Sequence, residues 1–348
     1  MSSELSANYL GLQLDSPVIV GSCPLTMSPE SVRQFVLAGA GAIVLPSILQ
    51  EQIVHQQLQA SDPMAAIEQS GYQPQQDKYN GGVDCYLKTL ELLKQRESVP
   101  IIASINGGAS GKWLDFAKQI ESSGADALEL NWQPIITNPD EPAAEVESKL
   151  CDIVHKLCAS VTIPVAVKLN QRFTNLAAIA HQMKTCGAKG LVLFTHVPHW
   201  DVSIDRMHWT IRWELSPTDS LGSILEGIVR ARTNGLGMSI AASGGVRTGE
   251  DAIKSMIAGA DVVMVTSEIY REGPDAIRKI STAIARFLDT SRFDSLQSFL
   301  KARPKVELGP ERLMRLEYVD PLSRSNHYFD PTPVADINRG DSFGHLKT

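Results

Sequence analysis

Two short stretches near the C-terminal third contain residue types suited to holding a phosphate. Ser243, Gly244 and Gly245 follow the apolar run SIAA, and Thr266 and Ser267 follow the next apolar run, VVMV. Glycines allow a backbone to approach a ligand closely, and main-chain N–H groups near a helix start bind anions. The hydroxyl groups of Thr266 and Ser267 add further donors. A glycine pair alone is commonly only a turn, so it is the combination that predicts a phosphate site.

A lysine within an apolar stretch is the second feature that could do chemistry. Lys168 lies in PVAVKLN, where most neighbouring residues are small or apolar. A buried ammonium group needs an anionic or electron-rich partner. That partner is either a bound ligand, which we favour, or the carboxylate of Glu129. Asn106 and Asn131 each offer a donor and an acceptor, so they either bind a planar heterocycle or serve as turn residues.

Further polar residues end two other apolar runs. Ser22 and Cys23 follow PVIVG, and Thr195 and His196 follow GLVLF. A thiol and an imidazole can exchange protons with a substrate, so Cys23 and His196 are candidate catalytic groups, although a cysteine at such a place is commonly inert packing. The sequence contains no HExxH and no paired acids at ligand spacing, so it predicts no metal site.

The elements that position these residues follow from a unit that occurs four times. In each copy a helical pattern ends in Gly-Ala, one residue follows, and an aliphatic run begins. The pairs are Gly39-Ala40, Gly124-Ala125, Gly187-Ala188 and Gly259-Ala260, and we expect the strands after them to end near Pro46, Asn131, Phe194 and Thr266. A glycine just after a helix commonly adopts the left-handed conformation that ends it. Aliphatic runs without polar alternation are typical of parallel strands covered on both faces.

Four more apolar runs bring the predicted strands to eight, and helical patterns lie between the strands. The runs are 17–21, 100–106, 164–170 and 239–243, and the clearest helical patterns are 28–38, 175–186 and 249–258. Eight strands alternating with helices predict a single-domain (β/α)8 TIM barrel. A doubly wound sheet is the alternative, but no GxGxxG opens the first unit. In a barrel, all the polar residues described above lie at one face, at the carboxyl ends of strands.

Three stretches exceed a minimal barrel. Residues 50–81, after the second strand, are polar and glutamine-rich, and residues 195–221, after the sixth, contain three tryptophans. Because both begin at carboxyl ends of strands, we expect long loops that form a lid or wall, with surface insertions as the alternative. We place the barrel at residues 5–290 and a C-terminal extension, with HYFDPTPVADINRG, at 291–348.

Composition restricts the class of protein. The 348 residues are 43% hydrophobic and 20% charged, with a formal net charge of -7, which is typical of a globular protein and unlike one that binds nucleic acid. We find no stretch of membrane-spanning length, no signal-peptide pattern and no CxxC among the five cysteines. We therefore expect a cytoplasmic protein with a small-molecule substrate and no membrane or nucleic-acid partner, and we consider a homodimer.

Four stretches resemble the dihydroorotate dehydrogenase family, most closely its dihydroorotate dehydrogenase-like branch. They are SPVIVGSCPLT, IPVAVKLNQRFTNLAAIA, GAKGLVLF and AASGGVRTGEDAIKSMIAGADVVMV. The family consists of FMN enzymes built on a (β/α)8 barrel, and its namesake acts in pyrimidine biosynthesis. The resemblance implies that FMN lies across the barrel mouth, with Lys168 near the flavin N1 and C2 carbonyl. It also implies further cofactor contacts from Gly21, Ser22, Asn106, Asn131, Thr195, Ser243, Gly244, Gly245, Thr266 and Ser267.

The sequence departs from the family pattern at several places. Pro46 stands where a second lysine is expected, and Thr195 stands where strand six has an asparagine. The dihydroorotate-oxidising enzymes carry a Cys or Ser base shortly after the asparagine of strand four, whereas this chain has Gln133 and Pro134, which cannot accept a proton. The family's substrate loop is replaced by QPQQDKYNGG. Oxidation of dihydroorotate requires proton removal from C5 as hydride leaves C6, so the missing base counts against that substrate.

Two functions are compatible with these residues. The first is an FMN-dependent oxidoreductase that transfers hydride between flavin N5 and a small unsaturated or heterocyclic substrate. The alternative is a catalytically diverged barrel that binds a phosphate-bearing ligand without oxidising dihydroorotate. Lys168 and the glycine pair favour the first function, whereas Pro46, Gln133 and Thr195 favour the second.

Overall fold

Two short antiparallel strands precede the barrel, β1 (Ala7–Tyr9) and β2 (Leu12–Leu14). The computed structural model describes residues 5–59, 62–107, 113–217, 220–233, 235–304, 312 and 315–323. The turn of this hairpin contacts the starts of two barrel strands. The backbone N–H of Leu10 donates to Ser239 Oγ at 3.0 Å, and a Cβ on Gly190 would collide with the Leu10 side chain. The hairpin, which the sequence analysis does not predict, therefore packs on the amino-terminal end of the barrel.

Eight parallel strands form the barrel, as the repeated unit predicts. They are β3 (Val18–Val20), β4 (Ala42–Leu49), β5 (Ile101–Asn106), β6 (Ala127–Asn131), β7 (Val165–Leu169), β8 (Gly190–Leu193), β11 (Ser239–Ser243) and β12 (Val262–Val265). The sheet closes in the order β11-β12-β3-β4-β5-β6-β7-β8. Closure excludes the doubly wound sheet, and nearly every residue of these strands is buried.

Helices follow the strands of the barrel. In chain order they are α1 (Pro29–Leu37), α2 (Gln50–Gln59), α3 (Pro63–Gln69), α4 (Asp77–Asn80), α5 (Gly82–Arg96), α6 (Trp113–Ser122), α7 (Ala143–Ser160), α8 (Leu176–Thr185), α9 (Leu221–Arg232), α10 (Gly249–Ala258), α11 (Ser267–Glu272), α12 (Asp275–Thr290) and α13 (Leu296–Ala302). The side chains of Ser28, Asn175 and Thr248 cap α1, α8 and α10, so these helices begin where the sequence predicts.

The four Gly-Ala units have one common geometry. Their glycines all have positive φ, from +91° to +131°, which is the left-handed conformation that ends a helix. The residue after each Gly-Ala then donates its N–H to the preceding barrel strand, as Gly41 does to the Val18 carbonyl at 2.8 Å and Asp261 to the Ile240 carbonyl at 2.8 Å. The repeat therefore ends each helix and starts the next strand in register.

Strand β4 is longer than predicted because it continues past Pro46 to Leu49. The pairing of β4 with β5 shifts between Val44 and Ser47. Proline has no N–H to donate to a ladder, so it is tolerated where a bulge interrupts the pairing. The bulge brings Ser47 opposite Ser104 of β5.

Both predicted insertions after strands contain secondary structure. Residues 50–81 contain α2, α3 and α4 rather than an irregular loop. Residues 195–221 contain an antiparallel hairpin of β9 (His199–Ser203) and β10 (His208–Arg212). Trp200 and Trp209 lie in an edge-to-face pair on this hairpin, with ring centroids 6.2 Å apart, and both rings are exposed.

The chain divides into two compact units, Met1–Arg232 with Leu236–Pro304, and Thr233–Gly235 with Lys305–Thr348. In the first unit, Leu296 and Phe299 of α13 belong to the hydrophobic core. The second unit includes two short helical segments, Arg315–Val319 and Asp320–Ser323. The boundary at residues 290 and 291 stays a prediction, and the sequence HYFDPTPVADINRG lies outside the described residues.

Candidate active site

A cavity of about 560 Å³ opens at the carboxyl ends of β3, β7, β11 and β12. Its volume is in the range of small-molecule and cofactor sites. It brings together many of the residues that the sequence analysis selects, namely Ser22, Cys23, Lys168, His196, Ser243, Gly244, Gly245, Thr266 and Ser267. Gly21, Asn106, Asn131 and Thr195 lie next to the cavity without lining it. The barrel therefore gathers residues that are more than 240 positions apart in the chain.

The glycine pair forms one end of the cavity. Gly244 and Gly245 have φ of +97° and +69°, and no described residue accepts a hydrogen bond from either backbone N–H. A Cβ on Gly245 would lie 2.8 Å from the backbone nitrogen of Leu221, the first residue of α9. Free N–H groups beside a helix start are suited to an anion.

Two arginines that no strand-end pattern marks add positive charge at the same end. Arg247 Nε and Arg271 Nη1 both donate to Glu268 Oε2, at 3.1 and 3.0 Å. Because two guanidinium groups share one carboxylate, the cluster has a net positive charge. Arg247 follows the glycine pair by two residues, a signal that the sequence offered.

The hydroxyl of Ser267 is engaged within the protein. It accepts the N–H of Ser216 at 3.0 Å and contacts the Ser216 hydroxyl at 3.2 Å. Arg271 Nη2 donates to the Ser216 carbonyl at 2.8 Å. These bonds fix the segment after the β9–β10 hairpin along the rim of the cavity. Thr266 lies beside Gly21, where a Cβ would collide with Thr266 Oγ1.

Lys168 pairs with Glu129 inside the barrel. Lys168 Nζ donates to Glu129 Oε1 at 3.3 Å, and the two residues are 7% and 0% exposed. The ion pair considered from the sequence therefore forms, and Lys168 also lines the cavity. The two interpretations of this lysine are compatible, because an ammonium group has three donors and the described structure occupies one of them.

Asn106, Asn131 and Thr195 bind one another at the ends of β5, β6 and β8. Asn106 Nδ2 donates to the Asn131 carbonyl and Thr195 Oγ1 donates to Asn131 Oδ1, each at 3.0 Å. Asn131 Nδ2 lies 3.5 Å from Ser47 Oγ. This row fixes the side-chain amides beside Lys168.

His196 has a defined tautomer in this structure. Its Nε2 lies 2.6 Å from the backbone carbonyl of Glu214, which can only accept, so Nε2 carries the proton and Nδ1 has a free lone pair. Partial burial lowers the pKa of His196, and the nearby His199 and Lys168 lower it further, against the opposing effect of the Glu214 carbonyl. The imidazole is therefore neutral at neutral pH and able to accept a proton.

Cys23, unlike His196, has a raised pKa. Burial raises the pKa of its thiol, even though neighbouring backbone groups, Tyr270 and Lys168 act to lower it. The thiol therefore stays protonated at neutral pH, and of the two candidate bases His196 is the better one. Gln133 and Pro134 do not line the cavity.

Two tyrosines of the cavity wall were missed from the sequence. Tyr79 hydrogen-bonds Ser22, and burial raises its pKa. The Tyr270 hydroxyl hydrogen-bonds Cys23, and its pKa is raised by burial and then by that thiol. Tyr79 belongs to an insertion and Tyr270 to the six-residue helix α11, so no strand-end pattern marks either residue.

A buried amide holds the insertion that carries Tyr79. Asn80 Nδ2 donates to the Ser47 carbonyl at 2.9 Å and to Gln52 Oε1 at 2.8 Å, and Asn80 Oδ1 accepts from the Gly82 N–H at 3.0 Å. Asn80 is 1% exposed.

Replacing Asn80 by alanine is expected to lower the free energy of unfolding by about 2 kcal/mol, because the Ser47 carbonyl and the Gln52 amide each lose hydrogen bonds to Asn80. Urea titration measures this loss, and hydrogen exchange should quicken in residues 77–82. Lys78→Ala, an exposed neighbour, is the control and should change neither. Equal stability of Asn80→Ala and Lys78→Ala would contradict the assigned role.

The fold is a (β/α)8 barrel, a class whose enzymes have their active sites at the carboxyl ends of the strands, where this cavity lies. A profile of the family described as dihydroorotate dehydrogenase matches residues 4–288. The chain therefore belongs to the dihydroorotate dehydrogenase family, as its sequence resemblance predicts. It is an oxidoreductase that resembles dihydroorotate dehydrogenase.

Curated relatives align over most of their length. The chain is 28% identical over 310 residues to the putative dihydroorotate dehydrogenase A (fumarate) of Aeropyrum pernix, covering 85% of this chain and 96% of the relative. It is 28% identical over 299 residues to the catalytic subunit of dihydroorotate dehydrogenase B (NAD(+)) of Methanocaldococcus jannaschii, covering 82% and 93%. The corresponding subunit of Methanosarcina acetivorans is 27% identical over 300 residues, covering 84% and 94%.

Proposed function

We propose that the protein binds FMN in the strand-end cavity and transfers hydride between the flavin and a small unsaturated or heterocyclic substrate. One observation carries the proposal: the free N–H groups of Gly244 and Gly245 share a cavity with the buried ammonium of Lys168. The first feature suits a phosphate and the second suits an electron-rich ring edge. The family of the chain supports the choice of FMN among phosphate-bearing ligands.

Different residues of the site would contact different parts of the cofactor. Gly244 and Gly245, with Ser243, Thr266 and the backbone N–H of Ser267, would hold the phosphate, because the Ser267 hydroxyl already donates to Ser216. Lys168 would hold its ammonium near the flavin N1 and C2 carbonyl, and Gly21 with Ser22 would lie against the ring system. Asn106, Asn131 and Thr195 do not line the cavity, and their mutual hydrogen bonds would hold the strand ends beside the ring in place. When bound, FMN supplies a hydride donor and acceptor at N5.

Proton transfer is assigned to His196. The neutral imidazole has its Nδ1 lone pair free because Nε2 donates to Glu214. Oxidation of a CH–CH bond needs a base near the flavin, and a group with a pKa below neutral can act as one at physiological pH. The relatives are named for dihydroorotate, which makes it the first substrate to test. Gln133 and Pro134 stand where a Cys or Ser base is expected, so a different substrate is the stronger expectation.

A second candidate function follows from the absence of a Cys or Ser base at Gln133 and Pro134. A barrel without a base at this position could bind a phosphate-bearing ligand and catalyse no oxidation of dihydroorotate. Absorption spectroscopy of the purified protein after incubation with FMN distinguishes the candidates. Flavin bands that survive gel filtration support the oxidoreductase, and bleaching by dihydroorotate without oxygen identifies the substrate. A colourless protein that takes up no FMN would rule out the flavin proposal.

The phosphate role of the glycine pair has a matched test. Gly245→Ala is expected to weaken FMN binding at least tenfold, because its Cβ would lie 2.8 Å from the Leu221 nitrogen and displace the loop. Gly273→Ala is the control, since Gly273 has a similar φ of +67° but no atom within 4 Å of its Cβ position. Flavin fluorescence titration measures both affinities, and equal affinities would contradict a phosphate contact at Gly245.

We further propose a cytoplasmic location, a small-molecule substrate and, for assembly, a homodimer. Among the residues that the structure describes, no helix is long and apolar enough to cross a bilayer. In the same residues no cluster of three or more His, Cys, Asp or Glu side chains is arranged to hold a metal ion. Sedimentation velocity measures the assembly state.

A further inference from the structure

Polar side chains form a continuous row across four neighbouring strands of the barrel interior. Ser47 Oγ of β4 lies 2.8 Å from Ser104 Oγ of β5. Ser104 Oγ donates to Glu129 Oε1 of β6 at 3.4 Å, and Lys168 Nζ of β7 donates to the same oxygen at 3.3 Å. One end of this row, Lys168, lines the cavity, whereas Glu129 does not. The carboxylate therefore acts on the cavity through the ammonium group.

Packing alone does not explain why a carboxylate is buried at position 129. It is fully buried, and its second oxygen, Oε2, accepts no hydrogen bond from a described residue. A buried carboxylate with an unpaired oxygen is costly, and such groups are uncommon in folded proteins. A neutral or apolar residue at this position would fill the barrel at lower cost. The burial of a charge here points to a functional reason.

Pro46 has no charge that could offset the charge of Glu129. The family resemblance places a second lysine at this position of β4, but proline has no charge. Glu129 thus has one close cationic partner in the described barrel interior, Lys168. The pair is formally neutral, so the carboxylate offsets most of the positive charge that Lys168 would otherwise present to a ligand.

We propose that Glu129 is a positioning residue for Lys168, holding its ammonium in place and attenuating its charge so that the bound flavin has a low reduction potential. This inference rests on the proposed binding of FMN. Reduction places negative charge near N1 and the C2 carbonyl. An ammonium nearby favours that charge and a carboxylate behind it disfavours it. Removing the carboxylate charge therefore raises the potential, while removing the ammonium lowers it.

The test uses the full chain loaded with FMN and the nearly isosteric variant Glu129→Gln. Two readouts other than turnover report the charge near N1. One is the midpoint potential from an anaerobic dye-coupled titration. The other is the apparent Kd of sulfite, whose sulfur lone pair forms a bond to N5 while the displaced electron pair leaves negative charge at N1. We expect sulfite to bind at least tenfold more tightly in Glu129→Gln, and the potential to rise by about 30 mV, the tenfold equivalent for two electrons.

Two further variants separate charge from structure. Ser104→Ala removes the other donor to Glu129 Oε1 but no charge, so both readouts should stay within twofold of the unchanged chain. Glu129→Asp keeps the charge on a shorter side chain, so its sulfite Kd should lie between those of the unchanged chain and Glu129→Gln. If Glu129→Gln fails to fold, tighter sulfite binding by Glu129→Asp than by the unchanged chain is the expected result.

The contrary outcomes are distinct. An FMN-loaded Glu129→Gln protein with unchanged or weaker sulfite binding would overturn the role of Glu129 and leave the FMN proposal intact. A Glu129→Asp protein that binds sulfite more weakly than the unchanged chain would overturn it as well. An unchanged chain that takes up no FMN would refute the proposed function itself and, with it, this inference.

Discussion

Replacing Lys168 by methionine is expected to lower the free energy of unfolding by about 3–5 kcal/mol. The side chains of Lys168 and Glu129 are 9% and 1% exposed, so the substitution leaves a buried carboxylate without its counter-charge. Breaking a buried ion pair from one side is among the most costly single substitutions because the remaining charge stays desolvated. Denaturant titration followed by circular dichroism measures the loss.

The double variant Lys168→Met with Glu129→Gln is expected to recover most of that stability, because it removes both charges together. It should not recover flavin chemistry, since the ammonium group is still missing. Lys149→Met is the surface control. Lys149 pairs with Glu141 and Glu145 at 2.7 and 3.0 Å, and its side chain is 54% exposed. Exposed pairs contribute little, so this control should unfold like the unchanged chain. A double variant no more stable than Lys168→Met would show that the pair is not coupled.

Replacing Gly41 by alanine is expected to lower the free energy of unfolding by about 3 kcal/mol, the upper end of typical overpacking costs. A Cβ at this position would collide with the backbone carbonyl oxygen of Ser16. A backbone atom cannot rotate away as a side chain can, so strand β4 or the start of β3 must move. Thermal and urea unfolding measure the effect.

Gly39 is the matched control two residues earlier. It has φ of +95°, but its Cβ position has no atom within 4 Å. The only cost of Gly39→Ala is therefore the left-handed backbone conformation, which should lower the free energy of unfolding by about 1 kcal/mol. A loss at Gly39 equal to or larger than that at Gly41 would contradict the steric argument.

The fold was largely predictable because its signals are local. Each Gly-Ala unit ends a helix and begins a buried strand, and both events depend on residues close in the chain. Four copies with four more aliphatic runs therefore predicted eight strands and the barrel. The length of β4 was missed because proline usually ends a strand, whereas here the chain continues through a bulge.

The candidate site was predictable only where it follows a strand. Ser243–Gly245, Thr266 and Lys168 were found because barrel sites lie at strand ends. Tyr79, Arg247 and Tyr270 were missed, since an insertion, a loop and a short helix bring them to the cavity. The residue after Gly-Ala is aspartate at Asp126 and Asp261 but glycine at Gly41, and only the packing of Ser16 reveals that a side chain has no space there.

The sequence by itself determined the barrel and the face at which we expect chemistry, because periodicity and strand-end position depend on short-range order along the chain. The family followed separately, from the resemblance of four stretches to known motifs. The tertiary structure alone decided that Lys168 pairs with Glu129 and also faces the cavity. It also decided that two arginines share Glu268, and that His196 rather than Cys23 can accept a proton. Those outcomes depend on distances and burial between residues far apart in sequence, which no local pattern encodes.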